Sequence, residues 1–117
     1  MVFLAASLIA GVIVATGLLA IFWRDIQSNF LRMFEKVKQL FSCEVEGGRI
    51  SLTQRQGQVT KVLKTYHRDQ AGIWHETIAR KNVAENEIPE EYRQRVQHLK
   101  DMEELDMTEE MQMQLSA

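Results

Sequence analysis

The chain has 117 residues, a formal net charge of −2 and a single cysteine. That is about one domain's worth of chain. One cysteine excludes an internal disulfide framework and a Cys-rich zinc site. The apolar residues are unevenly placed: Met1 to Trp23 carries no charged side chain, and all thirty acids and bases lie in the remaining 94 residues.

The opening run, MVFLAASLIAGVIVATGLLAIFW, reads as a membrane-spanning helix over residues 1–23. At 1.5 Å per residue such a helix reaches roughly 34 Å, against a hydrocarbon core of about 30 Å. It lacks the basic start and small-residue cleavage site of a removable signal, so it reads as an uncleaved anchor. Trp23 and Arg24 suit the membrane–water interface. Together with Arg32, Lys36 and Lys38, Arg24 predicts an inner-membrane protein with its N-terminus out and the rest cytoplasmic. Ser7, Gly11 and Ala15 recur at four-residue spacing, a small-residue face on which a second helix can pack closely. The run holds no ionisable side chain, which excludes a proton relay within it.

Ile26, Phe30, Met33, Val37 and Leu40 follow at helical spacing, flanked by Phe34 and Phe41. They predict an amphipathic juxtamembrane helix over 24–42, continuous with the span. Its stripe has three outlets. It seams identical helices together, packs on the distal domain, or lies on the leaflet with its bases on anionic headgroups.

Residues 42–53, SCEVEGGRISLT, carry a hairpin pattern in which Gly47-Gly48 forms the turn and Val45 faces Ile50. The competing reading ends the first helix near Glu46, capped by Gly47. Beyond it, Val59, Val62, Leu63 and Tyr66 form one helical stripe. Ile73, Trp74, Thr77 and Ile78 form a second. Pro89 suits the first turn of a third helix, whose stripe is Tyr92, Val96, Leu99, Met102 and Leu105. The expected fold is therefore mainly α: a transmembrane helix, an amphipathic helix, a small α-rich cytoplasmic domain over 43–107 with a β-hairpin at about 42–53, and a tail or short capped helix over 108–117.

Charge is polarised. Arg24 to Arg68 holds nine bases and four acids, whereas Asp69 onward holds five bases and twelve acids. Arg55, Lys61, Lys64 and Arg68 make a basic strip suited to a phosphate or another anionic partner. The acidic balance of the whole domain argues against nucleic acid. Trp74 is a candidate hot spot for a partner protein, beside the plainer reading of a core tryptophan.

Cys43, His67, His75 and His98 are the soft or titratable candidates, and none fall at metal-ligand spacing. No nucleotide loop or nucleophile elbow is present. The sequence thus names no catalytic residue, metal or cofactor. It predicts a non-enzymatic, single-pass membrane anchor or scaffold. Such a protein self-associates through its span and the Ile26–Leu40 seam, contacts membrane lipid, and presents its domain to a partner protein. A pore-forming effector gated by that domain, and an accessory subunit of a larger membrane complex, are the alternatives.

Overall fold

A computed structural model describes residues 3–116. The N-terminal segment forms a two-residue strand β1 (Leu4–Ala5), one helical turn α1 (Ala6–Ile9) and a short strand β2 (Val12–Ile13). The long helix α2 (Gly17–Phe41) comes next. Three antiparallel strands follow: β3 (Gly47–Arg55), β4 (Gln58–Arg68) and β5 (Trp74–Val83). After a 3-10 turn at Glu85–Glu87 come α3 (Glu90–Gln97), β6 (Glu104–Asp106), α4 (Thr108–Gln114) and β7 (Leu115–Ser116).

The meander β3-β4-β5 is the centre of a five-stranded antiparallel sheet. On the outer side of β3, β1 pairs with Gly47 and Gly48, and β6 pairs with residues 51–53. A separate two-stranded ribbon joins β2 to β7. Helix α2 lies across one face of the sheet. Its residues Trp23, Ile26, Phe30, Met33 and Val37 are buried together with Ile50, Leu52, Val59 and Leu63 from the strands. Ile88, Tyr92 and Val96 of the α3 segment, with Met107, Met111 and Leu115, close the same core. Successive side chains of a strand alternate between faces. Leu52, Lys61 and Lys81 therefore face α2, while Arg49, Lys64, Tyr66, Trp74, Ile78 and Arg80 line the opposite, open face.

The expected mainly-α fold is overturned: the centre of the molecule is an antiparallel sheet. No helix among the described residues is long and apolar enough to cross a membrane. The single-pass span over 1–23, its topology and its inner-membrane location are overturned. Gly17 starts α2 at a φ of 64°, a left-handed conformation that a continuous right-handed helix does not contain. The Gln27 side chain donates to the carbonyls of Ile9 and Gly11, at 2.6 Å each, which folds the run back onto α2. The apolar residues of the run serve a core instead of lipid: Leu4, Ile9, Ile13, Phe22 and Trp23 are all buried.

The hairpin expected over 42–53 is overturned: residues 47–55 are one strand, Ile50 pairs with Leu63 and not with Val45, and the observed hairpin joins β3 to β4. The strands are joined by Gln56-Gly57, both at positive φ, which is the two-residue turn that matches strand twist. Gly47 and Gly48 lie within β3 and are needed for close approach. A Cβ at Gly47 would meet the Leu4 carbonyl oxygen at 2.9 Å, and one at Gly48 would meet the Phe30 ring at 2.8 Å. The two stripes read as helices, Val59–Tyr66 and Ile73–Ile78, are β4 and β5. Both faces of β4 are covered along part of its length, with Val62 as buried as Leu63. That double burial imitates a helical stripe. A third helix does follow Pro89, with Tyr92 and Val96 inward, but it stops at Gln97, and Leu105 belongs to β6. Residues 108–114, which the sequence leaves open between a short capped helix and a tail, form α4, and β7 follows it.

The close contact at Gly48 gives a test of this packing. Gly48→Ala should lower stability by about 1–3 kcal/mol through overpacking against Phe30, read as a shift in the urea midpoint. Adding Phe30→Leu should recover part of that loss. An unchanged midpoint for the single variant would contradict the contact.

Candidate functional site

The open face of the sheet carries two different neighbourhoods. Over β3 and β6 it is polar and self-satisfied. The Arg49 guanidinium donates to Asp106 at 2.5 Å, and Lys64 lies 4.0 Å from Glu104. These side chains cover Ser51 and Val62. Burial pushes the Asp106 carboxyl up, but hydrogen bonds from Thr108 and Arg49 outweigh it and hold the group below its ordinary value.

At the other end the face is aromatic. Phe3, Glu46, Gly47, Tyr66 and Trp74 line a cleft of about 480 Å³. Phe3 and Tyr66 meet edge to face with ring centres 5.0 Å apart. The missing side chain of Gly47 leaves the floor open between them. Trp74 is 57% exposed, yet it is held: the Arg68 guanidinium sits 5.1 Å above its ring, and Arg68 is itself gripped by both oxygens of Glu46 at 2.7 Å. A large aromatic surface fixed in place before binding loses little entropy when a partner arrives. Burial raises the Tyr66 phenol, and Glu76 beside it raises it further.

The structure separates the residues singled out in the sequence. Of the basic strip, Lys61 faces α2, where it is 3% exposed and paired with Asp25. Lys64 and Arg68 are on the opposite face, each beside an acid, and Arg55 stands exposed at the hairpin end. A period of two, where 3.6 was assumed, divides them. Ile26, Phe30, Met33 and Val37 pack on the chain's own sheet, the second of the three outlets, and Leu40 is left exposed. Trp23 is fully buried against Phe22 and Tyr92, away from any interface, while Arg24 and Lys38 are exposed. Arg32 and Lys36 line a groove of about 260 Å³ with Leu40, Phe41 and residues 77–79 of β5. Ser7, Gly11 and Ala15 are spread over α1 and the loops flanking β2, so they share no helix face.

Two further clusters hold titratable groups. His67 is buried, stacked at 5.1 Å on His75, whose Nε2 lies 2.7 Å from Asp69. Cys43 is in the 42–46 linker, its Sγ against the Phe41 carbonyl. Among the described residues no three His, Cys, Asp or Glu groups converge as metal ligands. Phe3, Tyr66 and Gly47 were not found from sequence. Only the alternation of β4 carries a signal for Tyr66, and nothing local places Phe3 beside it. Compared with family models, curated proteins and solved structures, the chain matches none.

The Lys61–Asp25 pair can be tested by mutation and by pH. The Lys61 hydrogen bond, aided by the charges of Lys61, Lys81 and Arg32, holds the Asp25 carboxyl below its ordinary value, although burial opposes the shift. A carboxyl lowered in the folded state stabilises above its unfolded value near about 4 and loses that effect as pH falls through the folded value. Asp25→Ala strands a buried ammonium and should cost about 2 kcal/mol. That is below the roughly 3–5 kcal/mol of a fully buried pair because Asp25 is half in water. Lys61→Met should cost less than Asp25→Ala and should flatten the loss of stability below about pH 4. Equal losses for the two variants, with unchanged acid limbs in thermal melts, would contradict this account.

Proposed function

We propose that this chain is a non-enzymatic protein–protein interaction module whose recognition site is the aromatic cleft on the open sheet face. The occupant is a peptide segment that inserts a bulky apolar side chain between Phe3, Tyr66 and Trp74. The carrying observation is the cleft itself: three aromatic rings around a glycine floor, with an exposed tryptophan clamped by Arg68 and Glu46. Tryptophan, with tyrosine and arginine, is enriched among the few residues that carry most of the binding energy of protein interfaces. Arg68, the base beside the cleft, is already matched within the chain by Glu46, which favours a partner read by shape and apolar contact. A polyanion would need bases free to take phosphates, and Arg49, Lys64 and Arg68 are engaged with acids.

Selection from a displayed random-peptide library tests this reading. The wild-type chain should enrich peptides with a shared aromatic or large aliphatic position. Trp74→Ala should weaken the selected peptides at least about tenfold, the effect of one lost anchor. Enrichment of no common position, or equal affinity for the Trp74→Ala chain, would contradict the proposal.

A further inference from the structure

We infer that two copies of this chain join edge to edge through β5, in antiparallel register about a two-fold axis at Ile78, to form one continuous sheet with two aromatic clefts. The inference goes beyond the cleft reading and uses a different surface.

β5 is the outermost strand of the meander, and its outer side pairs with no strand among the described residues. Its ten residues keep an unbroken register with β4, from Val83 opposite Val59 to Trp74 opposite Arg68. Exposed edges are normally blunted by proline, by bulges, by a covering element or by charged side chains, and β5 carries three charges, Glu76, Arg80 and Lys81. The strand WHETIARKNV contains no proline or glycine, and its register has no bulge. Ile78 in its middle is exposed, as are Leu40 and Phe41 in the groove beside it.

The sequence of β5 selects both the occupant and the register. A two-fold axis perpendicular to the sheet sets each side chain opposite one on the same face. With the axis at Ile78, the two Ile78 side chains meet and Glu76 of each copy faces Arg80 of the other. Opposite-charge pairs directly across strands stabilise, and like charges destabilise. Moving the axis to Glu76 or to Arg80 sets like charges face to face. Neither Glu76 nor Arg80 is in an ion pair within the chain among the described residues. On the α2 face, Thr77 meets Ala79, two short side chains that let the strands approach. The groove lined by Leu40, Phe41 and residues 77–79 opens beside the axis on the α2 side, while the two Ile78 side chains meet on the open face. Arg32 and Lys36 also line it, and they are long enough to keep their charges in water. The axis keeps both clefts on one side of the joined sheet. Trp74 comes opposite Asn82 of the other copy, so the two tryptophans stand roughly 27 Å apart along the strands, at about 3.4 Å per residue. Such a dimer presents two sites to a repeated or dimeric partner and gains by avidity.

Sedimentation equilibrium of the full chain reads the pairing directly. The wild-type chain should dimerise. Glu76→Arg and Arg80→Glu should each weaken the dimer about tenfold or more, because each creates two like-charge pairs. The double variant E76R/R80E should restore it, which a merely local effect on folding would not do. In a Cys43→Ser background, Ile78→Cys should form an intermolecular disulfide on mild oxidation, while Arg55→Cys, at the hairpin end, should not. A monomeric wild-type chain, or a dimer indifferent to the charge swaps and uncrosslinked through residue 78, overturns the inference. A monomer that still captures peptides through Trp74 overturns the pairing alone. A swappable dimer that selects no peptide overturns the cleft alone.

Discussion

The burial of the α2 stripe on one face of the meander organises the rest of the molecule. Phe30 is fully buried and lies against Gly48, where a methyl group would not fit. Removing a side chain of that size from water contributes roughly 2–3 kcal/mol, and Trp23, Ile26 and Val37 add to it along the same stripe. The contact fixes how closely helix and sheet approach, so it sets which strand residues point inward. From this follows the division of the sheet into a sealed face and an open one. Lys61 is the exception on the sealed face, and it is tolerated because Asp25 of α2 meets it there.

The same packing explains the apolar N-terminal segment. Once α2 is laid on the sheet, its flanks remain open, and the segment before Gly17 closes them. Leu4 and Ile9 are fully buried, β1 adds to the edge of β3, and β2 pairs with the chain's last strand. The cleft is a by-product of this closure. Phe3 reaches Tyr66 only because β1 runs beside Gly47, whose bare backbone allows the approach. The cleft is therefore assembled from distant parts of the chain and depends on the core being formed.

The stripe of α2 was legible in the sequence because its apolar residues repeat at helical spacing over five positions. The start of α3 was legible through Pro89 for a similar local reason. The strands were not. Val59, Val62, Leu63 and Tyr66 fit a helical template, yet Val59 and Leu63 face α2 while Val62 and Tyr66 face the other way. A strand covered on both faces loses the alternation that would have revealed it. The Gly47-Gly48 pair carried a turn signal whose true cause, close approach by Leu4 and Phe30, is tertiary and invisible locally. The first 23 residues mimicked a span because a run that wraps a core needs the same apolar composition as one that crosses lipid. Of the site, Trp74 was visible as an anchor candidate. Its partners Phe3, Gly47 and Arg68 are joined to it only by the fold.

Stability and the proposed recognition thus rest on one arrangement: a helix sealing one sheet face and leaving the other face and one long edge uncovered. Proton–proton NOEs in solution test it most directly. The account predicts cross-peaks between the Phe30 ring and the α-protons of Gly48, together with cross-strand α-proton contacts between β3 and β4. Helical amide–amide contacts through residues 59–66, with no Phe30–Gly48 cross-peak, would contradict it.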